Sequence, residues 1–74
     1  MSKLPLISGK NAIKVFTKLG YRVIRKKGSH FRSQHNNKKP LTIPEHKTLG
    51  KGLLRKILRD AEITIEEFKN LLKS

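Results

Sequence analysis

Seven consecutive residues, Arg25-Lys26-Lys27-Gly28-Ser29-His30-Phe31, bring three cations, a glycine, a hydroxyl and an imidazole together. These are the parts needed to hold a phosphate and move a proton beside it. Glycine lets the backbone turn or approach a ligand closely. Lysine and arginine supply the positive potential that a polyanion seeks. Histidine is the side chain whose ordinary pKa lies near neutrality. The rest of the chain reads as a small scaffold that presents His30.

Charge supports a polyanionic partner. The chain carries 18 Lys+Arg against 5 Asp+Glu, formally +13 at pH 7. Residues 1–44 hold eleven Lys/Arg and no acid, because Glu45, Asp60, Glu62, Glu66 and Glu67 all come later. A one-sign field on a small domain points to nucleic acid, an acidic protein, or both in competition. The plain alternative is a lysine-rich soluble surface.

Several chemistries lose their usual residues. Gly28, Gly50 and Gly52 match neither a P-loop nor a dinucleotide fingerprint. Without carboxylates in the first 44 residues, two-carboxylate acid/base work and carboxylate-bound magnesium lack their groups. His30, His35 and His46 follow no standard zinc spacing, and we expect neither metal nor small-molecule cofactor. RNA suits what is left. Its 2′-hydroxyl is a nucleophile beside its own phosphate, so a histidine need only take that proton or protonate the leaving 5′-oxygen. Nearby cations would stabilise the transition state. Arg25, Lys26, Lys27 and Arg32 are the candidates for phosphate contacts. A hairpin histidine with no role is the competing account of His30.

The elements that must position these residues follow from periodicity. Ser8 is a plausible N-cap for a helix over 9–19, in which Ala12, Ile13, Val15, Phe16 and Leu19 form the apolar face, and Gly20 ends it. Lys10, Lys14 and Lys18 form a second stripe, read as a solvated face. From Tyr21 the period becomes two. Three runs, 21–26, 29–35 and 40–44, predict an antiparallel meander, with turns at Lys27-Gly28-Ser29 and at Asn36–Lys39. Pro40 and Pro44 bound the short third strand. After the loop 45–52, a second helix runs to about Ala61 on Leu53, Leu54, Ile57 and Leu58. Thr64 and Glu67 form a capping box for a last helix over 65–72, with Ile65, Phe68, Leu71 and Leu72 as its apolar residues.

The expected fold is a single α+β domain spanning 1–74, ordered α-β-β-β-α-α, with helices 9–19 and 52–61 side by side on one sheet face. The other face, carrying much of Arg22, Ile24 and Lys26 or their neighbours, is expected to meet water. There are no cysteines, and no apolar run marks a signal peptide or a membrane span. We therefore expect a soluble, cytoplasmic protein with no membrane association.

Taken together, these motifs resemble the HicA (YcfA-like) mRNA interferase toxins of HicA/HicB toxin–antitoxin systems. Lys3-Leu4-Pro5 with Ser8-Gly9-Lys10 resembles the family's opening. Leu19-Gly20-Tyr21, Arg25 and Lys27-Gly28-Ser29-His30 resemble its Gly-aromatic and Gly-Ser-His signature. Ile43-Pro44-x-His46, Leu49-x-x-Gly52-x-Leu54-x-x-Ile57-Leu58 and Ile63-Thr64-x-Glu66-Glu67-Phe68 are similar to its later segments. The order and spacing of these matches are more specific than any one of them. The chain departs from the pattern between Phe31 and Leu41, in the polar turn Asn36–Pro40.

The resemblance implies a double-stranded-RNA-binding-domain-like α-β-β-β-α sandwich with a short extra C-terminal helix. It also implies a type II toxin: an endoribonuclease that cleaves mRNA, blocks translation and is neutralised by a HicB-type antitoxin. His30 carries the catalytic role in this comparison, while Gly28 and Ser29 shape its turn. His46 receives no catalytic role. Two further readings are carried forward: a non-catalytic double-stranded-RNA-binding module, and a regulatory protein whose basic face meets an acidic partner.

Overall fold

Helix α1, Gly9–Leu19, begins where Ser8 Oγ accepts from the Asn11 N–H at 3.1 Å. It ends in a Schellman motif, in which Gly20 (φ +112°) donates to the Thr17 carbonyl and Tyr21 to the Phe16 carbonyl. A computed structural model describes residues 3–74 of the chain; of the N-terminal run read for a signal peptide, Met1 and Ser2 lie outside the described residues. Three strands follow, β1 Arg22–Lys27, β2 His30–Gln34 and β3 Leu41–Pro44, then α2 Lys51–Asp60 and α3 Ile65–Lys73. The strands form one antiparallel sheet in the order β1-β2-β3. The architecture is α+β, with the α-β-β-β-α order and an added C-terminal helix.

The core gathers around β3. Leu41 and Ile43 point into it, with Ala12, Val15 and Phe16 of α1 and Leu54, Ile57 and Leu58 of α2. Both helices pack on β3, and α1 finds its main helical neighbour in α3 rather than in α2, correcting the side-by-side expectation. Phe16 joins the two ends of the chain. Its ring meets Tyr21 edge-on at 5.9 Å and Phe68 at 5.5 Å. The Tyr21 hydroxyl donates to the Lys39 carbonyl at 2.7 Å. Burial pushes the phenol's pKa up, and the nearby Glu62 and Asp60 carboxylates add to this.

Helix α3 is tied at both ends. Thr64 and Glu67 exchange two 3.0 Å bonds in the expected capping box. The Lys18 ammonium donates to the Leu71 and Ser74 carbonyls, so one lysine of the supposed solvated stripe caps a helix C-terminus. Leu72, expected on the apolar face, is 39 % exposed. No helix among the described residues is long and apolar enough to cross a membrane.

Strand ends differ from the expectation for specific reasons. The Tyr21 N–H is used by the helix terminus, so β1 starts at Arg22 and runs on to Lys27. His35 leaves β2 to contact the Leu19 carbonyl through Nε2 at 3.2 Å, while its Nδ1 accepts from the Asn37 N–H at 3.0 Å. Every residue of β1 is exposed, because the helices cover β3 and do not reach across the sheet. Val23, on the helix side, is 43 % exposed for that reason.

The start of α1 backs onto the end of β3. A Cβ added at Gly9 would lie 1.9 Å from the Pro44 carbonyl oxygen. Gly9→Ala should therefore cost about 1–3 kcal/mol of stability through overpacking against backbone. In α2, no atom lies within 4 Å of a Cβ built at exposed Gly52. Gly52→Ala should stabilise by about 0.5–1 kcal/mol through helix propensity. Urea denaturation of the two variants checks the opposite signs.

Candidate active site

His30 opens the central strand, where neighbours hold it on both sides. It pairs with Lys27 of β1 and Pro44 of β3. One residue earlier, the Ser29 carbonyl accepts from the Glu45 N–H at 2.6 Å. The turn between Lys27 and His30 is the two-residue Gly28-Ser29, with positive φ at Gly28 (+60°) and not at Ser29. That sign pattern belongs to a type II′ hairpin turn, which takes glycine first. A Cβ at Gly28 would meet open space, so backbone conformation rather than crowding selects the glycine.

Pairing decides which side chains share the face of His30. Along β2, His30, Arg32 and Gln34 point away from the helices, while Phe31 and Ser33 lie opposite Ile43 and Leu41. Val23 pairs with Ser33, yet Arg25 pairs with Arg32. Ile24 is therefore an extra residue, a β-bulge. Beyond a bulge the side-chain parity inverts. Arg25 and Lys27 consequently stand on the outer face beside Arg32 and His30. Lys26 stands on the other side, opposite Phe31.

The outer face holds an open depression of about 330 Å³, lined by Arg25, Lys27, His30, Arg32 and Thr42. None of these is acidic. Across the strands, Arg25 faces Arg32, two charges of one sign, and Lys27 faces the imidazole of His30. Like charges placed directly opposite are unfavourable. An anion in the depression would relieve that repulsion, and Arg presents a donor fork that fits phosphate oxygens. An imidazole beside an anchored phosphate could exchange a proton with it or with its ester oxygens.

Of the residues singled out from sequence, the structure brings together His30, Arg25, Lys27 and Arg32, with Gly28 and Ser29 forming the adjoining turn. It separates Lys26 from them. The Lys26 ammonium sits 5.2 Å from the Phe31 ring centroid and 3.1 Å from Glu45 Oε1. This corrects the expected water-facing set of Arg22, Ile24 and Lys26: Arg22 pairs with Gln34 on the outer face, but Lys26 does not belong there. His35 lies at the far end of β2 and is held by the Leu19 carbonyl and Asn37. His46 is exposed in the loop after β3, beside Ser8, Lys10, Glu45 and Lys47. Among the described residues, no three His, Cys, Asp or Glu side chains are grouped to hold a metal ion.

One residue of the site, Thr42, and one beside it, Glu45, escaped the sequence reading. Thr42 lies in the depression, where its Oγ1 accepts from Arg32 Nη1 at 2.7 Å. The period-two pattern Leu41-Thr42-Ile43 carried that signal, since two buried neighbours force Thr42 outward. Glu45 gathers Lys26 and, at 3.5 Å, Lys10. No local pattern revealed it, because its partners come from α1 and β1.

A family model described as the HicA toxin of bacterial toxin–antitoxin matches residues 9–63. The matched stretch runs from the first residue of α1 through the whole sheet and α2, and includes every residue of the depression. No curated protein matches the chain.

The hydrogen bond from Lys26, ahead of its charge and of Lys10, holds the Glu45 carboxyl below its ordinary pKa of 4.5. A carboxyl lowered in the fold stabilises fully above its unfolded pKa, and this is lost as pH falls through the folded value. Acid should therefore destabilise the parent protein below about pH 4.5 more steeply than it does Glu45→Gln. Urea midpoints followed from neutral pH into acid check this; parallel curves would show that the Glu45 clasp adds nothing.

Proposed function

The chain belongs to the HicA toxin family of bacterial toxin–antitoxin systems, and from that premise we propose that it is a metal-independent endoribonuclease that cleaves mRNA and inhibits translation. His30 is its general acid/base. The observation that carries this reading is the shared depression: an imidazole on the central strand, three cations around it, and no acid in the lining.

The chemistry follows from what RNA itself supplies. The 2′-oxygen attacks its neighbouring phosphorus, the 5′-oxygen leaves, and the products are a 2′,3′-cyclic phosphate and a 5′-hydroxyl. His30 takes the 2′ proton or delivers one to the departing oxygen, a transfer worth roughly 10²–10⁴-fold. Arg25, Lys27 and Arg32 bind the non-bridging oxygens and stabilise the charge that grows on them, usually the larger contribution. No water needs activation, because the nucleophile belongs to the substrate.

The family also implies an antitoxin partner. In this reading it is a HicB-type protein that covers the same basic face, the system is of type II, and the setting is the cytoplasm. An acidic partner and an RNA would then exclude one another, which merges the nuclease reading with that of a protein-binding face.

Purified protein incubated with RNA and excess EDTA should shorten the RNA and leave cyclic phosphate ends. His30→Ala should lose about 10²–10⁴-fold in rate, and an all-2′-deoxy strand should survive. If cleavage needs a divalent metal, or if His30→Ala cuts as fast as the parent, the mechanism is wrong. RNA that shifts on a gel without shortening would favour a non-catalytic RNA-binding module.

Inverted parity beyond Ile24 gives a second test. Replacing Lys27 with alanine should lower the salt slope of RNA binding by about 0.7, because one phosphate fewer is neutralised. The same change at its neighbour Lys26 should leave the slope intact. Equal effects at the two positions would contradict the placement of Lys26.

A further inference from the structure

Arg32 is the one cation of the depression with a fixed acceptor among the described residues. Its Nη1 donates to Thr42 Oγ1 at 2.7 Å, directly across the β2–β3 ladder. We infer that Thr42 is a positioning residue, whose hydroxyl aims the Arg32 guanidinium at the phosphate beside His30. The inference rests on the nuclease reading for the identity of that phosphate.

Three features argue for it. An arginine facing Arg25 is pushed away by like charge, so without a partner its long side chain would swing into solvent. Thr42 holds it with a stiff β-branched side chain from a strand whose neighbours, Leu41 and Ile43, are buried. The acceptor is also neutral. A carboxylate there would orient Arg32 equally well but cancel the charge an anion needs, whereas a hydroxyl takes one of five N–H donors and leaves the rest of the fork free. Arg32 lies two residues from His30 on the same strand, roughly 7 Å along it, so one phosphate lies within reach of both.

Strand propensity alone would also explain a threonine here, and valine separates the two accounts. Thr42→Val keeps the shape and the strand preference but removes the acceptor. Binding is measured with an all-2′-deoxy oligonucleotide, which lacks the nucleophile and reports affinity whether or not the protein cleaves RNA. Thr42→Val should weaken binding roughly three- to tenfold, the size of one oriented hydrogen bond, with an unchanged melting temperature. Thr42→Ser should restore most of the affinity. In an Arg32→Lys background, Thr42→Val should add no further loss, because the pair acts as one unit.

Unchanged affinity in Thr42→Val, or an equal loss with Arg32 already replaced, would overturn the positioning role. A parent protein that binds this strand but leaves RNA intact would overturn the nuclease reading instead. The Thr42 comparison would still be decided by binding.

Discussion

The site depends on one count: six residues of β1 must face five of β2. Both ends of this ladder are fixed by other elements. At one end the Tyr21 N–H is bound to the Phe16 carbonyl, which fixes where the chain can enter the sheet. At the other, the two-residue turn fixes Lys27 opposite His30. The surplus residue has to be expelled between them, and Ile24 is where the ladder yields. Had the pairing continued unbroken from Val23 and Ser33, Arg25 would face Phe31 on the helix side and Lys26 would face His30. The bulge instead delivers two cations, Arg25 and Lys27, to the imidazole's face. Helix termination at Gly20 and turn chemistry at Gly28 thus jointly set the electrostatics of a site to which neither residue contributes a side chain.

The turn end of the sheet is held more by backbone than by charge. Gly9 donates to the His46 carbonyl at 2.9 Å, Leu49 to the Ile7 carbonyl at 2.8 Å, and Glu45 to the Ser29 carbonyl. These bonds fasten the start of α1, the segment after β3 and the hairpin turn into one corner. The Glu45 ion pairs lie over it, with the Lys26 and Lys10 side chains about half or more exposed. Pairs so exposed are screened by solvent and add little to stability. The close approach of Gly9 to Pro44 is the stronger constraint, because no rearrangement short of moving backbone would make room for a Cβ there. The bulge puts Lys26 on the Phe31 side of the sheet, and Glu45 holds its ammonium there at 3.1 Å.

Much of this was legible in the sequence where a local rule sufficed. The caps at Ser8, Gly20 and Thr64, the Gly28-Ser29 turn and, Leu72 apart, the apolar helical faces stand where spacing put them, each being written within a few residues. The family signature around Gly28-Ser29-His30 fell in the stretch that the family model covers. What failed to show was parity. A strict period of two from Tyr21 assigns Lys26 to the water-facing set, and no residue type at Ile24 announces a bulge, since the cause lies in the fixed ends of the ladder. Thr42 was readable from its buried neighbours, but its bond to Arg32 requires the β2–β3 register. The bare helix side of β1 was not readable at all, because it depends on both helices settling over β3.

Helices on one side only leave the outer sheet face as the natural seat for a large anion. The acids are segregated from it. Asp60, Glu62, Glu66 and Glu67 lie at the end of α2 and the start of α3, and Glu45 is occupied by lysines. A field of this kind draws polyanions from a distance and depends on ionic strength. It also constrains any protein that buries the face. Removing Arg25, Lys27 and Arg32 from water without partners would cost several kcal/mol per charge. A binding partner must therefore bring acceptors, preferably carboxylates, to the positions that phosphate oxygens would occupy. Such acceptors can reach the depression as it stands, because it opens on the outer face and its lining carries no acid.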